Sequence, residues 1–382
     1  MYQFLFFITA LLVGIYCVLI LFYRTWFLKL SPFNITPGYN PNTLFTVIIP
    51  ARNEADNIQN CLSSVLQQNY PSHLFEVIVV NDHSTDNTAS IVASMQMHHS
   101  NLQLINLIDH IAPNILNAYK KKAIEIAVSK SKGNWIVTTD ADCLVQNNWL
   151  QYFDAYIQAN NVVFVAAPVQ FINDEKFLSI FQVLDFMSLQ GITAAAVSAG
   201  KHAMCNGANL AYDKKAFYAV GEFKGIDTIA SGDDMLLMQK MNEQYPQQLG
   251  FLFSKASVVS TQPMPNWNRF LNQRIRWASK ADQYHDKRIF PILLLVYLVN
   301  FFLLVLLVAN FFSIGYWKDS LTLLLLKTAI ELYFMYPVSK FFGQEKTLLW
   351  FPISQPFHIV YTVVAGWLGK FGSYQWKGRK VY

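Results

Sequence analysis

The 382-residue chain has no glycine-rich phosphate loop, neither GxGxxG nor GxxxxGK[ST], so any diphosphate it binds must be neutralised in another way. Its four cysteines, Cys17, Cys61, Cys143 and Cys205, never stand in CxxC spacing. That excludes a zinc ribbon and a disulfide framework and fits a reducing compartment. Charge is scarce: 14% of residues are Asp, Glu, Lys or Arg, the net charge is +5, and no long basic run occurs. Nucleic acid is therefore not an expected partner, whereas anionic lipid headgroups are compatible with the balance.

Apolar residues are in excess instead, at 53% of the chain, which points to a soluble domain with membrane segments. Residues 2–23 carry no charge and are long enough to cross a hydrocarbon core of about 30 Å. The stretch has no Lys or Arg ahead of its apolar run and no small-residue cleavage pattern after it, so it reads as an anchor rather than a signal peptide. Arg24 and Lys29 follow it and predict a cytoplasmic side for what comes next, the inner face of the inner membrane in a bacterium. A second apolar block starts near Pro291, and a third, residues 320–339, contains Lys327 and Glu331 four apart on one helix face, as a paired bridge turned into a bundle would be. Residues 350–369 are apolar too, but Pro352 and Pro356 interrupt their start. Crossing here would carry the basic tail of Lys370, Lys377, Arg379 and Lys380 outside, so either the segment is re-entrant or the charge rule is broken. The expected organisation is an anchor at 1–23, a linker at 24–43, a soluble domain at 44–262, an interfacial segment at 263–289 and a membrane region of two or three spans at 290–382.

Within 44–262, short β-branched runs alternate with stretches of helical period. "LFTVIIP" and "FEVIVVND" read as strands, and "NEADNIQNCLSSVLQQ" and "STDNTASIVASMQ" as the helices that follow them. Continuous apolar strands between helices predict an α/β fold with a mostly parallel sheet covered on both faces, whose ligands bind at the carboxyl ends of the strands. Three such ends carry polar clusters: "PARNEAD", "NDHSTDN" and the "DAD" of "WIVTTDADC". Each alone is cap or turn chemistry; together they predict a shared nucleotide crevice. With no glycine loop, a divalent metal on carboxylates is the alternative for a diphosphate, and Asp140 and Asp142 suit it, since an extended backbone sends both side chains to one face.

A second acidic pair, Asp233 and Asp234 in "ASGDDMLLMQKM", permits two readings: a capping box from Ser231 to Asp234, or a base for an acceptor hydroxyl. Further on, "NWNRFLNQRIRWASKADQYHDKR" reads as a basic amphipathic helix with tryptophan anchors at the membrane surface, and its Arg276 and Trp277 are also candidates to line the site. The apolar segment "FLSIFQVLDFMSLQGITAAAVSAG" fits both an interfacial helix and a buried helix of the domain.

In this order the motifs resemble a membrane-anchored family 2 glycosyltransferase with the GT-A fold, over Thr46 to about Lys280. "VIIPARNE" and "VVNDHSTDNT" resemble the nucleotide-binding loops, which implies donor contacts from Pro50, Arg52, Asn53, Glu54 and Asp82. "KKAIEIAV" resembles the segment whose lysine lies near the nucleotide, here Lys122. "TTDADC" matches D-x-D, implying that Asp140 contacts the ribose and metal region and that Asp142, with Asp140, ligates Mg²⁺ or Mn²⁺. "SGDD" stands where the family has its base, implying that role for Asp234 with Asp233 orienting its neighbours. "QRIRW" fits Q-x-x-R-W at Gln273, Arg276 and Trp277, an acceptor and diphosphate set. Two departures are visible: Asn81 precedes Asp82 where many members have a second aspartate, and His83 replaces a glycine. The resemblance implies inverting transfer from a nucleotide sugar, expected to be a UDP-sugar, to a lipid or membrane-associated acceptor. The lipid-transferase-like tail and the few spans favour a lipid, and Q-x-x-R-W favours a processive polysaccharide synthase. A third reading is a catalytically inert membrane protein that binds nucleotide sugar.

Overall fold

The computed structural model describes residues 2–112, 116–284, 286–310, 317–372, 374–376 and 379–381. Lys377 of the basic tail lies outside the described residues. Among the described residues, ten strands build the α/β part of the chain: β1 (Phe45–Ala51), β2 (Phe75–Asn81), β3 (Leu102–Asn106), β4 (Trp135–Thr138), β5 (Cys143–Leu144), β6 (Phe164–Ala166), β7 (Val169–Phe171), β8 (Leu210–Asp213), β9 (Leu249–Phe251) and β10 (Val259–Thr261). Seven of them pair in the order β3-β2-β1-β4-β8-β6-β9, and β5, β10 and β7 form a small second sheet.

The first four strands of the large sheet run parallel, as their unbroken apolar character predicts. β8 is the exception, antiparallel to both β4 and β6. The register sets Ala51 opposite Asn81, so the "PARNE" and "NDHST" loops leave the sheet at the same level. Side chains alternate between two cores. Val47, Ile49, Val77 and Val79 face α2 (Ile58–Leu66) and α5 (Trp149–Ala159), with α3 (Thr88–Gln96) alongside. Ile48, Ile78, Val80 and Ile136 face α4 (Tyr119–Lys130), α7 (Lys214–Ala219) and α8 (Met235–Gln244).

That second core does not end at the domain. It continues through α6 (Phe177–Ser198) into three long apolar helices, α1 (Tyr2–Leu28), α10 (Ile289–Ala309) and α11 (Trp317–Phe342). Phe253, just past β9, makes ring contacts with Phe27 of α1 at 5.5 Å and Phe341 of α11 at 4.0 Å. Domain and apolar helices thus share one packed interior. Among the described residues, five helices are long and apolar enough to cross a membrane: α1, α6, α10, α11 and Glu345–Phe371, whose main part is α12 (Phe351–Phe371). For α6, 83% of its apolar window is buried inside the protein, against 22% for α1 and for α10, so of its two readings the buried domain helix is the one found.

The remaining long helix, α9 (Trp267–Ala278), runs parallel to α12. Trp267 stacks on Phe357 at 5.6 Å, Phe270 meets Tyr361 at 5.2 Å, and Gly369 closes against Ala278, where a Cβ would come within 2.8 Å. The α12 helix therefore stays beside the "QRIRW" helix along its length. A two-stranded hairpin, β11 (Tyr374–Trp376) and β12 (Arg379–Val381), follows and its backbone returns to α9.

Candidate active site

Two loops at the carboxyl ends of β1 and β2 interlock. The Asn53 side chain accepts from the Thr85 N–H at 2.8 Å, the Glu54 N–H donates to Thr88 Oγ1 at 2.8 Å, and Asp86 accepts from the N–H of Ala55 at 3.0 Å. Arg52 Nη1 donates to the Asp82 carbonyl at 2.9 Å. Asn53 and His83 both take a left-handed backbone, φ 51° and 52°, which Asn and His adopt more readily than most residues. At the position where the resemblance expects glycine, His83 therefore keeps the turn and adds a clamp, with Nδ1 at 2.9 Å from the Asp82 carboxylate and Nε2 at 2.9 Å from the Ile111 carbonyl.

The "DAD" segment departs from the extended geometry expected of it. Past β4 the chain bends, and the Cys143 N–H donates to the Asp140 carbonyl at 3.1 Å, closing a four-residue turn. The carboxylates converge through that turn: donor atoms of Asp140, Asp142 and Cys143 lie within 4.8 Å of one another. Two carboxylate oxygens are the hard donors that Mg²⁺ or Mn²⁺ takes, and burial pushes the Cys143 thiol well above its usual pKa, leaving it protonated and a poor ligand. The residues present fit a divalent cation.

The lysine beside these carboxylates is Lys120. Its Nζ lies 2.8 Å from Asp140 and 3.1 Å from Asp233, joining the two acidic motifs. Burial opposes its charge, but the flanking carboxylates outweigh burial and raise its pKa; in return Lys120 and Lys280 hold the buried Asp233 below the usual carboxylate range. Lys122, the lysine expected at the nucleotide, instead pairs with Glu125 at 3.0 Å on the outer side of α4 and does not line the cavity described below. Successive helical residues are 100° apart, so a step of two carries the side chain across the helix. Lys121 takes a third direction and donates to the carbonyls of Ile226, Ile229 and Ser231, tying down the loop that precedes Asp233.

The capping box does not form. Ser231 Oγ has no hydrogen-bond partner among the described residues, and Asp234 itself caps α8, accepting from the Met235 N–H at 2.8 Å and from the Gly207 N–H at 2.9 Å. Gly207 lies in the segment "CNGANLAY", residues 205–212, and a Cβ there would lie 3.3 Å from Lys120 Nζ and 3.4 Å from Asp233. The glycine lets the backbone reach a carboxylate that a larger residue would crowd.

Within "QRIRW", Arg274 is buried and holds Gln273 and Trp277. Its Nε donates to Asp185 of α6 at 2.9 Å, its Nη2 completes the ion pair at 2.6 Å from the same oxygen, its Nη1 donates to Gln273 at 2.6 Å, and it lies over the Trp277 ring at 4.2 Å. Tyr361 of α12 donates to the other Asp185 oxygen. Asp185, the single acid in the long apolar run of α6, was legible as an anomaly but not as a partner. We expect Asp185→Asn, which weakens the hold on Arg274, to lower kcat about ten-fold, the scale of one buried charged hydrogen bond, while leaving donor affinity intact. Steady-state kinetics with a donor-binding titration checks the split.

One cavity of ≈ 1520 Å³ is lined by all the residues expected to bind donor, metal or acceptor except Lys122: Pro50, Arg52, Asn53, Glu54, Asp82, Asp140, Asp142, Asp233, Asp234, Gln273, Arg276 and Trp277. The volume exceeds the roughly 300–1,000 Å³ of a site for one small ligand, leaving room for a donor and an acceptor.

The comparisons with known proteins bear on the family and the fold. The model of glycosyl transferase family 2 matches residues 46–221, and that of glycosyl transferase family group 2 matches residues 135–368. The chain is 32% identical over 126 residues to glycosyltransferase AglE of Haloferax volcanii, covering 33% of this chain and 39% of that protein. It is 23% identical over 270 residues to the poly-beta-1,6-N-acetyl-D-glucosamine synthase of Staphylococcus epidermidis, covering 68% of this chain and 60% of the synthase. It thus spans less than two thirds of either relative. Among solved structures, mannosyltransferase PcManGT from Pyrobaculum calidifontis, in complex with GDP-Man and Mn²⁺, aligns over 94% of this chain and 99% of its own with a TM-score of 0.62 at 19% identity. The shared fold is GT-A.

Proposed function

Because the chain belongs to glycosyl transferase family group 2, we propose that it is an inverting enzyme that moves a sugar from a nucleotide donor, a UDP-sugar in the first instance, to a hydroxyl of a membrane lipid. The observation that carries this reading is the single cavity running from the two loops at the sheet edge, past both acidic pairs, to residues of α1, α10, α11 and α12. In it the "PARNE" loop and Asp82 hold the nucleoside, and Asp140 faces the ribose and diphosphate. A Mg²⁺ or Mn²⁺ ion on Asp142 and Asp140, when bound, supplies Lewis-acid neutralisation of the diphosphate. Lys120 and Arg276 add cationic charge on the leaving-group side. Asp234, its carboxylate fixed by two backbone N–H groups, takes the proton of the acceptor hydroxyl; that oxygen attacks the anomeric carbon from the face opposite the diphosphate, the anomeric C–O bond breaks, and the nucleoside diphosphate leaves with the electron pair. Gln273 and Trp277 position the acceptor.

In the same reading α1, α10 and α11 cross the membrane, α9 and α12 lie along its surface, and the catalytic domain with the basic tail is cytoplasmic. The pairing of α12 with α9 supports this arrangement, which also keeps Lys370 on the side that the charge rule requires. The similarity to the staphylococcal synthase favours a second reading, processive synthesis of a polysaccharide. Release of nucleotide from a panel of NDP-sugars, with and without Mn²⁺, tests the enzyme. Acceptor-stimulated release is expected with at least one donor; its absence with every lipid and glycan acceptor would favour an inert sugar-nucleotide-binding protein. Product length separates single addition from polymer.

A further inference from the structure

Among the apolar helices the cavity is also lined by a polar cluster that the mechanism does not use. Tyr16 of α1 donates to Glu331 Oε1 at 2.6 Å, Lys327 pairs with the same oxygen at 2.8 Å, and Gln355 of α12 donates to Glu331 Oε2 at 2.6 Å while accepting from Lys327 at 2.8 Å. The sequence foresaw Lys327 and Glu331 as an ion pair on one face of a single helix, turned into a bundle, and α11 carries that pair. A bridge alone, however, does not need to line the substrate cavity. Tyr16, Glu331, Gln355 and His358 all do, within the same continuous space as Asp234. His358, one helical turn beyond Gln355, has a buried Nδ1 with no hydrogen-bond partner among the described residues. Ionisable groups within apolar helices that face a cavity mark substrate paths, because a buried polar group there is costly unless something satisfies it.

Resting on the lipid-acceptor reading above, we infer that this cluster is the acceptor-head subsite and that it selects an uncharged, hydroxyl-bearing head, a sugar or polyol, over a lipid phosphate. The charges argue for it. Lys327 and Glu331 cancel each other, so the cluster offers hydrogen-bond donors and acceptors without net charge. Hydroxyls of a sugar both donate and accept and can meet Glu331, Gln355, Tyr16 and the free His358 nitrogen. A phosphate would gain one cation already paired and would face the Glu331 carboxylate, a like charge in surroundings of low dielectric.

The test uses the full chain in proteoliposomes, with a donor that supports turnover and two acceptor probes, a monohexosyl-diacylglycerol and a polyprenyl phosphate. The neutral glycolipid should be glycosylated with a kcat/KM at least about ten-fold above the phosphate, and Tyr16→Phe and Gln355→Leu should each raise its KM about ten-fold, the scale of one buried hydrogen bond, with the donor KM unchanged. Tyr16→Phe removes a single oxygen and decides the matter if Gln355→Leu does not fold. Preference for polyprenyl phosphate, an unchanged acceptor KM, or a donor KM that worsens in parallel would overturn the subsite. No transfer by the unsubstituted chain to any acceptor would instead overturn the enzymatic reading on which the subsite rests.

Discussion

Asp234→Asn is expected to reduce acceptor transfer by about 10²- to 10⁴-fold, the range for loss of a general base, while nucleotide-sugar binding survives. The substitution keeps the shape of the side chain, and one oxygen can still accept from the Gly207 or Met235 N–H, so the cap on α8 and the approach of "CNGANLAY" persist. What is lost is the capacity to take a proton. The loss should therefore appear in kcat, with the donor KM and the affinity for free nucleotide close to those of the unsubstituted protein. Turnover at the unsubstituted rate would refute the assignment, and a matching loss of donor affinity would mean that Asp234 serves the nucleotide instead. Asp233→Asn makes a useful contrast. Its carboxylate is committed to Lys120 at 3.1 Å, so its removal should weaken donor and acceptor steps together.

The strand ends were legible because a parallel sheet buried on both faces writes its strands as continuous apolar runs, and polar residues appear where each run stops. β1, β2 and β4 are of this kind, and the three clusters that follow them do meet at one edge. Several things were not legible. The turn at Asp140–Cys143 is local geometry that an Asp-Ala-Asp spacing shares with an extended strand. β8 reads as one more apolar strand, and its antiparallel sense comes from the path of the chain through α6, which no period reports. The α6 helix looked compatible with a membrane surface because its other apolar face is taken up by α1 and α11 rather than by lipid; composition records that a face is apolar, not what covers it. Asp185 illustrates the same limit: one acid in an apolar helix signals a buried partner, but Arg274 is 89 residues away and only the fold brings them together.

The "KKK" run carries the other large expectation. Lys120→Ala should lower kcat/KM about 10²-fold, as does removal of one preorganised electrostatic group in an active site, whereas Lys122→Ala should stay close to the unsubstituted rate. A helical run of three lysines points in three directions, and which one faces the site depends on how α4 docks against β1 and β2. That docking gives Lys121 to the 226–231 loop, Lys122 to Glu125 at the surface, and Lys120 to Asp140 and Asp233. Without the Lys120 ammonium, two carboxylates lose the cation between them and Asp233 loses the foremost of the charges that hold its pKa down. The expected signature is a shift of the acidic limb of the pH–rate profile toward higher pH in Lys120→Ala, absent in Lys122→Ala. If instead Lys122→Ala proved the damaging substitution, α4 would have to be rotated in the working enzyme, and the link between the two acidic motifs would fall with it.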